Sequence, residues 1–264
     1  MIIIGEKINS SIPSMAEAIA RRDEAFIQKL AVEQARHGAR FIDVNAGAFV
    51  EAEKELLPWL VTVVQAVTAV PLCIDSPDPA ALAAAMACHQ GKPLLNSISL
   101  ERDRYNGVLP LIRGGAAGVI GLCMDDTGIP RTAEQRMAVA CRLVDRLVAD
   151  GVAFADIYLD VMVQPLGTDW LSGPAALQAV RLLAAEMPGI HITCGLSNVS
   201  FGLPKRQLLN QAFAVALATC GLDTFFIDPL DNRMMSLLWA IQALTGQDEY
   251  CADYIDAYRA GLMK

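Results

Sequence analysis

The feature that most constrains this chain is an alternation, repeated eight times, of a short apolar segment with a longer helical pattern. The apolar segments are rich in Val, Ile and Leu, as expected of strands buried on both faces. Eight such units are typical of a TIM (β/α)8 barrel, a parallel sheet closed on itself inside a ring of helices. The predicted strands are residues 2–8, 41–45, 72–75, 93–98, 118–124, 156–160, a short run beginning at 190, and 223–228.

Helix start and stop signals occupy the intervals between these strands. A helix is predicted from Ser14, which can cap it, to Arg36, with Gly38 as its stop. Pro79 and Pro204 begin two further helices, at positions where no backbone N–H is needed. The other predicted helices are residues 51–67, 102–112, 132–150, 172–187 and 232–244, with an extra C-terminal helix over 248–262. Residues 1–264 are therefore predicted to form one barrel domain.

Composition excludes several classes of protein. The chain is 54% hydrophobic, yet it contains no uninterrupted apolar run of about 18 residues, and its start lacks a secretory pattern. We therefore expect a soluble cytoplasmic protein without a membrane partner. The formal net charge of −8, without a Lys/Arg cluster, argues against nucleic acid as a partner. Seven cysteines without a CxxC pair, and three histidines without ligand spacing, predict no metal site.

Every predicted strand ends in a carboxylate or a carboxamide. In a parallel barrel these ends form the active-site mouth. Asp and Asn also favour turns and helix caps, which explains a single position more readily than a complete ring. The residues are Asn9, Asp43, Asn45, Asp75, Asn96, Asp125, Asp160, Asn198 and Asp228. Asp75 and Asp160 follow their apolar runs directly, so we expect both to point into the mouth.

Such a ring suits a neutral, flat ligand with many N–H donors. A pterin or another amino-pyrimidinone presents a 2-amino group beside N3–H, and one carboxylate can accept both hydrogen bonds. A sugar phosphate fits poorly, because Ser197-Asn198 and the segment 228–231 stand where phosphate-binding barrels carry glycine-rich loops. Schiff-base chemistry also fits poorly. Lys7 alone among six lysines lies near a strand end, where it could equally pair with Glu6 or be exposed.

Several motifs resemble those of the pterin-binding methyltransferases. They are GEKIN at 5–9, DVNAG at 43–47, CIDS at 73–76, LNSIS at 95–99, GLCMDDTGIP at 121–130, YLD at 158–160 and GLSNVSFG at 195–202. The last is the most specific, and the resemblance covers essentially the full length. The chain is most similar to the methyltetrahydrofolate:corrinoid/iron–sulfur protein methyltransferases. The folate domain of cobalamin-dependent methionine synthase and dihydropteroate synthase are more distant.

The resemblance implies a homodimeric TIM barrel that moves a methyl group between N5 of tetrahydrofolate and the cobalt of a corrinoid (cobalamin). The pterin would lie against Asp75, Asn96 and Asp160, and Asn198 matches the asparagine that moves to hydrogen-bond N5. Asn198 and Asp160 are the predicted catalytic residues. The complete predicted pterin-binding set is Glu6, Asp43, Asp75, Asn96, Asp160, Gly195, Ser197, Asn198 and Arg206.

Two positions depart from the family pattern. Phe201 stands where a glutamine follows GLSNVS, and Val161 stands where a proline follows the strand-six aspartate. Phe201 cannot have the polar role of that glutamine and indicates a different corrinoid partner. Eight βα units leave no room for a corrinoid-binding module, so we expect a separate corrinoid protein to dock at the mouth. The sequence does not set the direction of transfer.

The chemistry explains why an uncharged donor is wanted beside N5. A methyl group leaves N5 slowly because the nitrogen would depart as an anion, and general-acid assistance there is worth about 10²–10⁴-fold. Asn198 can donate a hydrogen bond but no proton, so the proton would arrive through water near Asp160 or Asp43. Two alternatives stay open. One is a dihydropteroate synthase-like reaction, for which the sequence offers no pyrophosphate loop, and the other is a pterin- or corrinoid-binding module without catalysis.

Overall fold

The strands form the predicted barrel. The computed structural model describes residues 1–263, and all strand pairings among them are parallel, in the order β7-β6-β5-β4-β3-β2-β1-β8. The (β/α)8 architecture inferred from the alternation is therefore confirmed. The strands are β1 (Ile2–Asn9), β2 (Phe41–Asn45), β3 (Leu72–Asp75), β4 (Leu94–Ile98), β5 (Gly118–Leu122), β6 (Ile157–Asp160), β7 (His191–Thr193) and β8 (Thr224–Ile227).

Ten α-helices in the described residues surround the sheet. They are α1 (Pro13–Ala20), α2 (Glu24–Arg36), α3 (Glu53–Gln65), α4 (Pro79–Cys88), α5 (Arg102–Ile112), α6 (Ala133–Ala149), α7 (Ser172–Glu186), α8 (Arg206–Cys220), α9 (Asn232–Leu244) and α10 (Ala252–Arg259). The bounds of α5 and α9 agree with the prediction, and α10 is the expected extra helix. None of the helices in residues 1–263 is long and apolar enough to cross a membrane.

The single helix predicted from Ser14 to Arg36 is wrong. The chain breaks after α1, where Arg22 adopts a left-handed conformation with φ 55°. Asp23 then caps α2 by accepting a hydrogen bond from the backbone N–H of Phe26 at 3.1 Å. Ser14 is not the cap of α1 either, because Pro13 already occupies the first turn behind Ile12. Helical periodicity continues across this break, so the sequence pattern did not reveal it.

The barrel interior below the mouth is apolar. One cluster, which we call the floor, consists of buried residues from five strands: Ile4, Cys73, Leu94, Ile120 and Tyr158. Tyr158 stacks on His191 of β7 with ring centroids 4.4 Å apart. The opposite faces of the strands pack against the helices in a second, larger core. Each fully buried aliphatic side chain contributes about 1.5–3 kcal/mol, so the floor is a stable support for the polar layer above it.

Candidate active site

The strand period of two places the predicted acceptors in one polar layer above the floor. Successive inward side chains lie two residues apart. On five strands, a polar residue therefore follows, two positions nearer the mouth, an apolar residue that forms the floor or packs against it. The pairs, apolar residue first, are Ile4 and Glu6, Cys73 and Asp75, Leu94 and Asn96, Tyr158 and Asp160, and Phe226 and Asp228. Four residues of the predicted ring, Asp75, Asn96, Asp160 and Asp228, therefore lie in this layer, and on β1 the position is taken by Glu6 rather than by the predicted Asn9.

Asp75 is held by its neighbour on β2. Asn45, Asp75 and Asn96 are Cα partners across β2, β3 and β4. Nδ2 of Asn45 donates to Oδ2 of Asp75 at 2.8 Å, while Oδ1 of Asn45 accepts from Oγ of Ser10 and the N–H of Gly47, both at 2.9 Å. These bonds orient the Asn45 amide and leave Oδ1 of Asp75 able to accept from a ligand. Burial raises the pKa of Asp75 to about 6, against the hydrogen bond from Asn45.

Asp43 lies one layer deeper than the other predicted binding residues. It is the Cα partner of the floor residue Cys73, and it is 2% exposed. Burial, and then the negative charge of Asp75, raise its pKa well above the usual range. Both effects favour the protonated form of this carboxyl. Its Oδ1 has no hydrogen-bond partner within residues 1–263.

The two predicted catalytic residues, Asp160 and Asn198, both approach Gly195. Oδ1 of Asp160 accepts from the N–H of Met162 at 2.7 Å. A Cβ placed on Gly195 would lie 2.9 Å from Nδ2 of Asn198 and 4.0 Å from Oδ2 of Asp160. The Asn198 amide thus lies over Gly195, and the Asp160 carboxylate lies near the same glycine. Burial raises the pKa of Asp160 to about 6, opposed by hydrogen bonds from Met162 and Gly195 and by the charge of Arg136.

Asn198 belongs to a 3₁₀ turn, Leu196–Ser200, that we call the Asn198 turn. Arg206, the first residue of α8, fixes this turn from outside. Its Nη2 donates to the carbonyl of Ser197 at 2.9 Å and its Nε to Oγ of Ser200 at 3.1 Å. Two of its donors are therefore committed to the protein. Val161 helps to hold the end of β7, which leads into this turn. Its N–H donates to the carbonyl of Thr193 at 3.2 Å, a bond that proline could not make.

A cavity of about 340 Å³ opens between the Asn198 turn and β1 and β8. The predicted residues Glu6, Ser197 and Arg206 line it, whereas Asp43, Asp75, Asn96 and Asp160 do not. Burial, and then the charge of Asp228, raise the pKa of Glu6 to about 7. Nζ of Lys7 lies 2.9 Å from Oδ2 of Asp228, so Lys7 pairs across β1 and β8 rather than with Glu6.

Not every predicted strand end belongs to the site. Oδ1 of Asp125 accepts from the N–H and Oγ1 of Thr127, and its Oδ2 lies 2.6 Å from Nη2 of Arg142, so the turn explanation holds there. Asn9 likewise accepts from the N–H of Ser11. Sequence reasoning included Asn45 in the ring but did not assign it the role of orienting Asp75. The sequence signal for this role was that Asn45 lies two residues beyond Asp43 and therefore on the same, inward face of β2.

Sequence reasoning also missed the polar residues that α8 contributes beside the cavity. Gln207 and Asn210 line the cavity, and Nε2 of Gln207 donates to Oδ2 of Asp231 at 2.9 Å. Asp231 in turn caps α9 through the N–H groups of Arg233 and Met234. No group of three or more His, Cys, Asp or Glu side chains in the described part of the chain could hold a metal ion.

A parallel barrel whose mouth is lined by carboxylates and amides is the kind of site that pterins require. The family described as "Pterin binding enzyme" matches residues 6–228. The chain belongs to this family, which confirms the resemblance inferred from the motifs. Over 266 aligned residues the chain is 39% identical to the methylcorrinoid:tetrahydrofolate methyltransferase of Eubacterium limosum, covering 99% of this chain and 97% of that protein.

Two more distant similarities extend this result. The chain is 27% identical over 240 residues to methionine synthase of Mycobacterium tuberculosis, covering 86% of this chain but only 20% of that much longer protein. Among solved structures, dihydropteroate synthase of Xanthomonas albilineans with 4-aminobenzoic acid superposes with a TM-score of 0.69 at 17% identity, covering 94% and 93% of the two chains. At this identity the superposition shows a shared fold.

Proposed function

We propose that this protein is a methyltransferase that moves a methyl group between N5 of tetrahydrofolate and the cobalt of a corrinoid. The observation that carries the proposal is the 39% identity, over 99% of the chain, to a methylcorrinoid:tetrahydrofolate methyltransferase. The approach of the Asn198 amide and the Asp160 carboxylate to the same residue, Gly195, supports it independently. Tetrahydrofolate or 5-methyltetrahydrofolate is then one substrate, and the corrinoid carried by a partner protein is the other.

In this proposal the polar layer binds the pterin edge on. Asp160 accepts the 2-amino and N3–H hydrogen bonds, and Asp75, oriented by Asn45, accepts a further N–H. Asn96, the Cα partner of Asp75, adds an amide on the neighbouring strand. A hydrogen bond to a charged acceptor contributes about 1.5–3 kcal/mol, so two carboxylates supply much of the affinity. Binding in this manner requires both carboxylates to be ionised.

Asn198 then acts on N5. When the methyl group moves to tetrahydrofolate, N5 forms a bond to the methyl carbon, the electron pair of the carbon–cobalt bond remains on cobalt, and N5 loses its proton. In reverse, N5 keeps the electron pair of the carbon–nitrogen bond and gains a proton. A carboxamide can accept from N5–H or donate to the N5 lone pair, so Asn198 can assist either direction.

The remaining predicted residues support this step. Gly195 leaves room for the Asn198 amide, Arg206 holds the turn through Ser197, and Glu6 lines the adjoining cavity. The proton reaches or leaves N5 through water near Asp160. Asp43, whose pKa is raised by burial, is the second group that the proposal places near this water.

We further propose that a corrinoid protein docks on the rim of the mouth and that residues 1–264 act as one domain in a cytoplasmic homodimer. Two exposed aromatic side chains near the Asn198 turn support the docking site: Phe201 is 65% exposed and Trp170 is 75% exposed. The loops that carry them are in contact, because the N–H of Leu166 donates to the carbonyl of Val199 at 3.0 Å. Seven free cysteines favour a reducing compartment.

The test is methyl transfer by the purified protein. Methylcobalamin, or a methylated corrinoid protein, is incubated with tetrahydrofolate, and 5-methyltetrahydrofolate is quantified by chromatography while the corrinoid is followed by absorbance. The reverse reaction is measured from Co(I) corrinoid and 5-methyltetrahydrofolate. Folate binding without turnover in either direction would identify a binding module instead. Condensation of a pterin pyrophosphate with 4-aminobenzoate would identify a synthase.

A further inference from the structure

The barrel is not hydrogen-bonded all the way round. Within residues 1–263, β7 pairs with β6 and β8 pairs with β1, but no backbone ladder joins β7 to β8. β7 is also short, comprising His191–Thr193, and it leads through two residues into the Asn198 turn. The position of Asn198 therefore depends on what holds the open side of β7 as well as on the bonds from Arg206.

One carboxylate spans this gap at the bottom of the barrel. Asp223, the residue before β8, accepts on Oδ1 from the N–H of Ile192 at 2.8 Å, and its Oδ2 lies 2.7 Å from Nδ1 of His191. The carbonyl of Asp223 accepts from the N–H of Ile2 at 2.7 Å. Oγ1 of Thr224 donates to the same Oδ1 at 3.0 Å. Asp223 thus joins the first, seventh and eighth strands.

The upper end of the same gap is open. There the cavity separates Leu196 and Ser197 of the Asn198 turn from Ile227 and Asp228 at the end of β8. β7 is therefore fixed to β8 at its start and separated from β8 beyond its end. A shift at the start of so short a strand is passed to the turn above it. A misplacement of 1 Å near the reacting atoms can lower a rate about 10²-fold.

We propose that Asp223 is a positioning residue for methyl transfer: its carboxylate holds β7 against β8 and so sets the position of Asn198. The inference rests on the proposed function for its effect on turnover. Asp223 precedes β8, at the end of the barrel opposite to the mouth, so it touches neither substrate. No strand pairing in residues 1–263 can replace it, because there β7 has no ladder on that side.

The experiment compares kcat, KM and folate Kd in Asp223→Ala and Asp223→Asn. The alanine variant removes the acceptor of the Ile192 N–H, so kcat should fall by about 10–100-fold while folate Kd stays within about threefold. The asparagine variant keeps an oxygen that can accept from Ile192, so it should recover most of the turnover. A residue needed only for folding would not separate kcat from Kd in this way.

Asp156→Ala is the matched control. Asp156 precedes β6 at the same end of the barrel, and its Oδ2 lies 2.6 Å from Nζ of Lys92. The strands it links, β4 and β6, are both laddered to β5. Asp156→Ala should therefore lower the melting temperature without lowering kcat. Thr224→Val, which removes the hydroxyl beside Asp223 but spares the Ile192 bond, should also keep wild-type turnover.

Two results would overturn the inference: wild-type kcat in Asp223→Ala, or an equal loss of kcat in Asp156→Ala. If Asp223→Ala does not fold, Asp223→Leu replaces it, since it fills the same space but offers no acceptor to the Ile192 N–H. An unchanged kcat there would overturn the inference as well. If the wild type transfers no methyl group, the proposed function fails instead. Faster amide hydrogen exchange over residues 194–200 in Asp223→Ala then still tests the positioning role.

Discussion

The carboxylates Asp75 and Asp160 are the residues on which folate recognition depends in the proposed function. Replacing either by Asn removes the charge and one acceptor, so the amide cannot accept two N–H hydrogen bonds from the amino-pyrimidinone. We expect folate Kd to rise by about 10–150-fold in Asp160→Asn and in Asp75→Asn, as measured by calorimetry. The control is Asp125→Asn, at a strand end outside the site. Unchanged affinity in both site variants would mean that these aspartates serve only the fold.

Asp160 also predicts two opposite effects of pH. Its pKa is about 6 in the folded protein against an ordinary value of 3.8. Between these values the unfolded chain has released the proton that the folded protein retains, so raising the pH lowers the free energy of unfolding. This loss of stability is absent below pH 4 and complete above pH 6. A difference of two pKa units corresponds to a loss of about 3 kcal/mol in the free energy of unfolding. Folate affinity should rise over the same window, because the ionised carboxylate is the acceptor.

Urea unfolding and calorimetric folate binding at pH 5 and pH 7.5 separate these effects. Asp160→Asn cannot ionise, so the free energy of unfolding of the variant relative to the wild type should increase with pH. The part of the pH dependence of folate affinity that comes from this carboxylate should be lost in the same variant. A wild-type difference that Asp160→Asn does not alter would assign the titration to another group, such as Glu6, whose pKa is about 7.

At the scale of elements, the Asn198 turn is the part of the structure that the chemistry depends on most. Asn198→Ala should lower methyl transfer by one to several orders of magnitude while folate affinity changes much less. The reason is that a bond to N5 that strengthens in the transition state contributes to kcat rather than to ground-state binding. Single-turnover kinetics together with folate calorimetry measure the two quantities. Normal turnover in this variant would make Asn198 a structural residue.

Gly195→Ala tests the same turn without altering its polar groups. The new Cβ would lie 2.9 Å from Nδ2 of Asn198, the end of a side chain that can move. We therefore expect turnover to fall toward that of Asn198→Ala while the melting temperature changes little. Gly167→Ala is the control, because its Cβ would meet only Leu203 at 3.8 Å on the neighbouring loop. Additive losses in the double variant Gly195→Ala/Asn198→Ala would contradict this explanation.

The elements show how far the sequence could be interpreted. Strands buried on both faces are visible as apolar runs, so all eight were predicted, and α5 and α9 were predicted residue for residue. The break at Arg22 was not predicted, because it depends on one backbone dihedral angle. The gap between β7 and β8 was not predicted either. Which strands share hydrogen bonds is decided by the closure of the whole sheet, and local sequence does not encode it.

The same limit applies to the site. The residue types at the mouth were predictable because strand ends converge there in any parallel barrel. Their depth was not, since Asp43 and Asn45 are both inward but lie in different layers. The partner of Lys7 was also missed, because Asp228 lies about 220 residues away in the chain and meets Lys7 only when β8 pairs with β1.

At the scale of the whole molecule, the exposed rim of the mouth is the surface that the corrinoid protein would contact. Phe201 lies on this rim, with its ring centroid 5.7 Å from the guanidinium carbon of Arg206. Phe201→Gln should raise KM for the cognate corrinoid protein by about tenfold, as expected for loss of an exposed aromatic anchor. Turnover with free cobalamin should be unchanged. Equal losses with both substrates, together with a lower melting temperature, would assign Phe201 to packing.

The pairing of β1 with β8 has a consequence for how the protein is made. Ile2 and Thr224 are partners in that ladder, so β1 cannot pair with β8 until residue 224 has been synthesised. At about 5–20 residues per second, the ribosome adds these roughly 220 residues in about 10–45 s. Throughout that interval the free edge of β1 and the apolar floor lack their final cover. The nascent chain therefore exposes this edge for longer than a chain in which strands adjacent in sequence pair on both sides of β1.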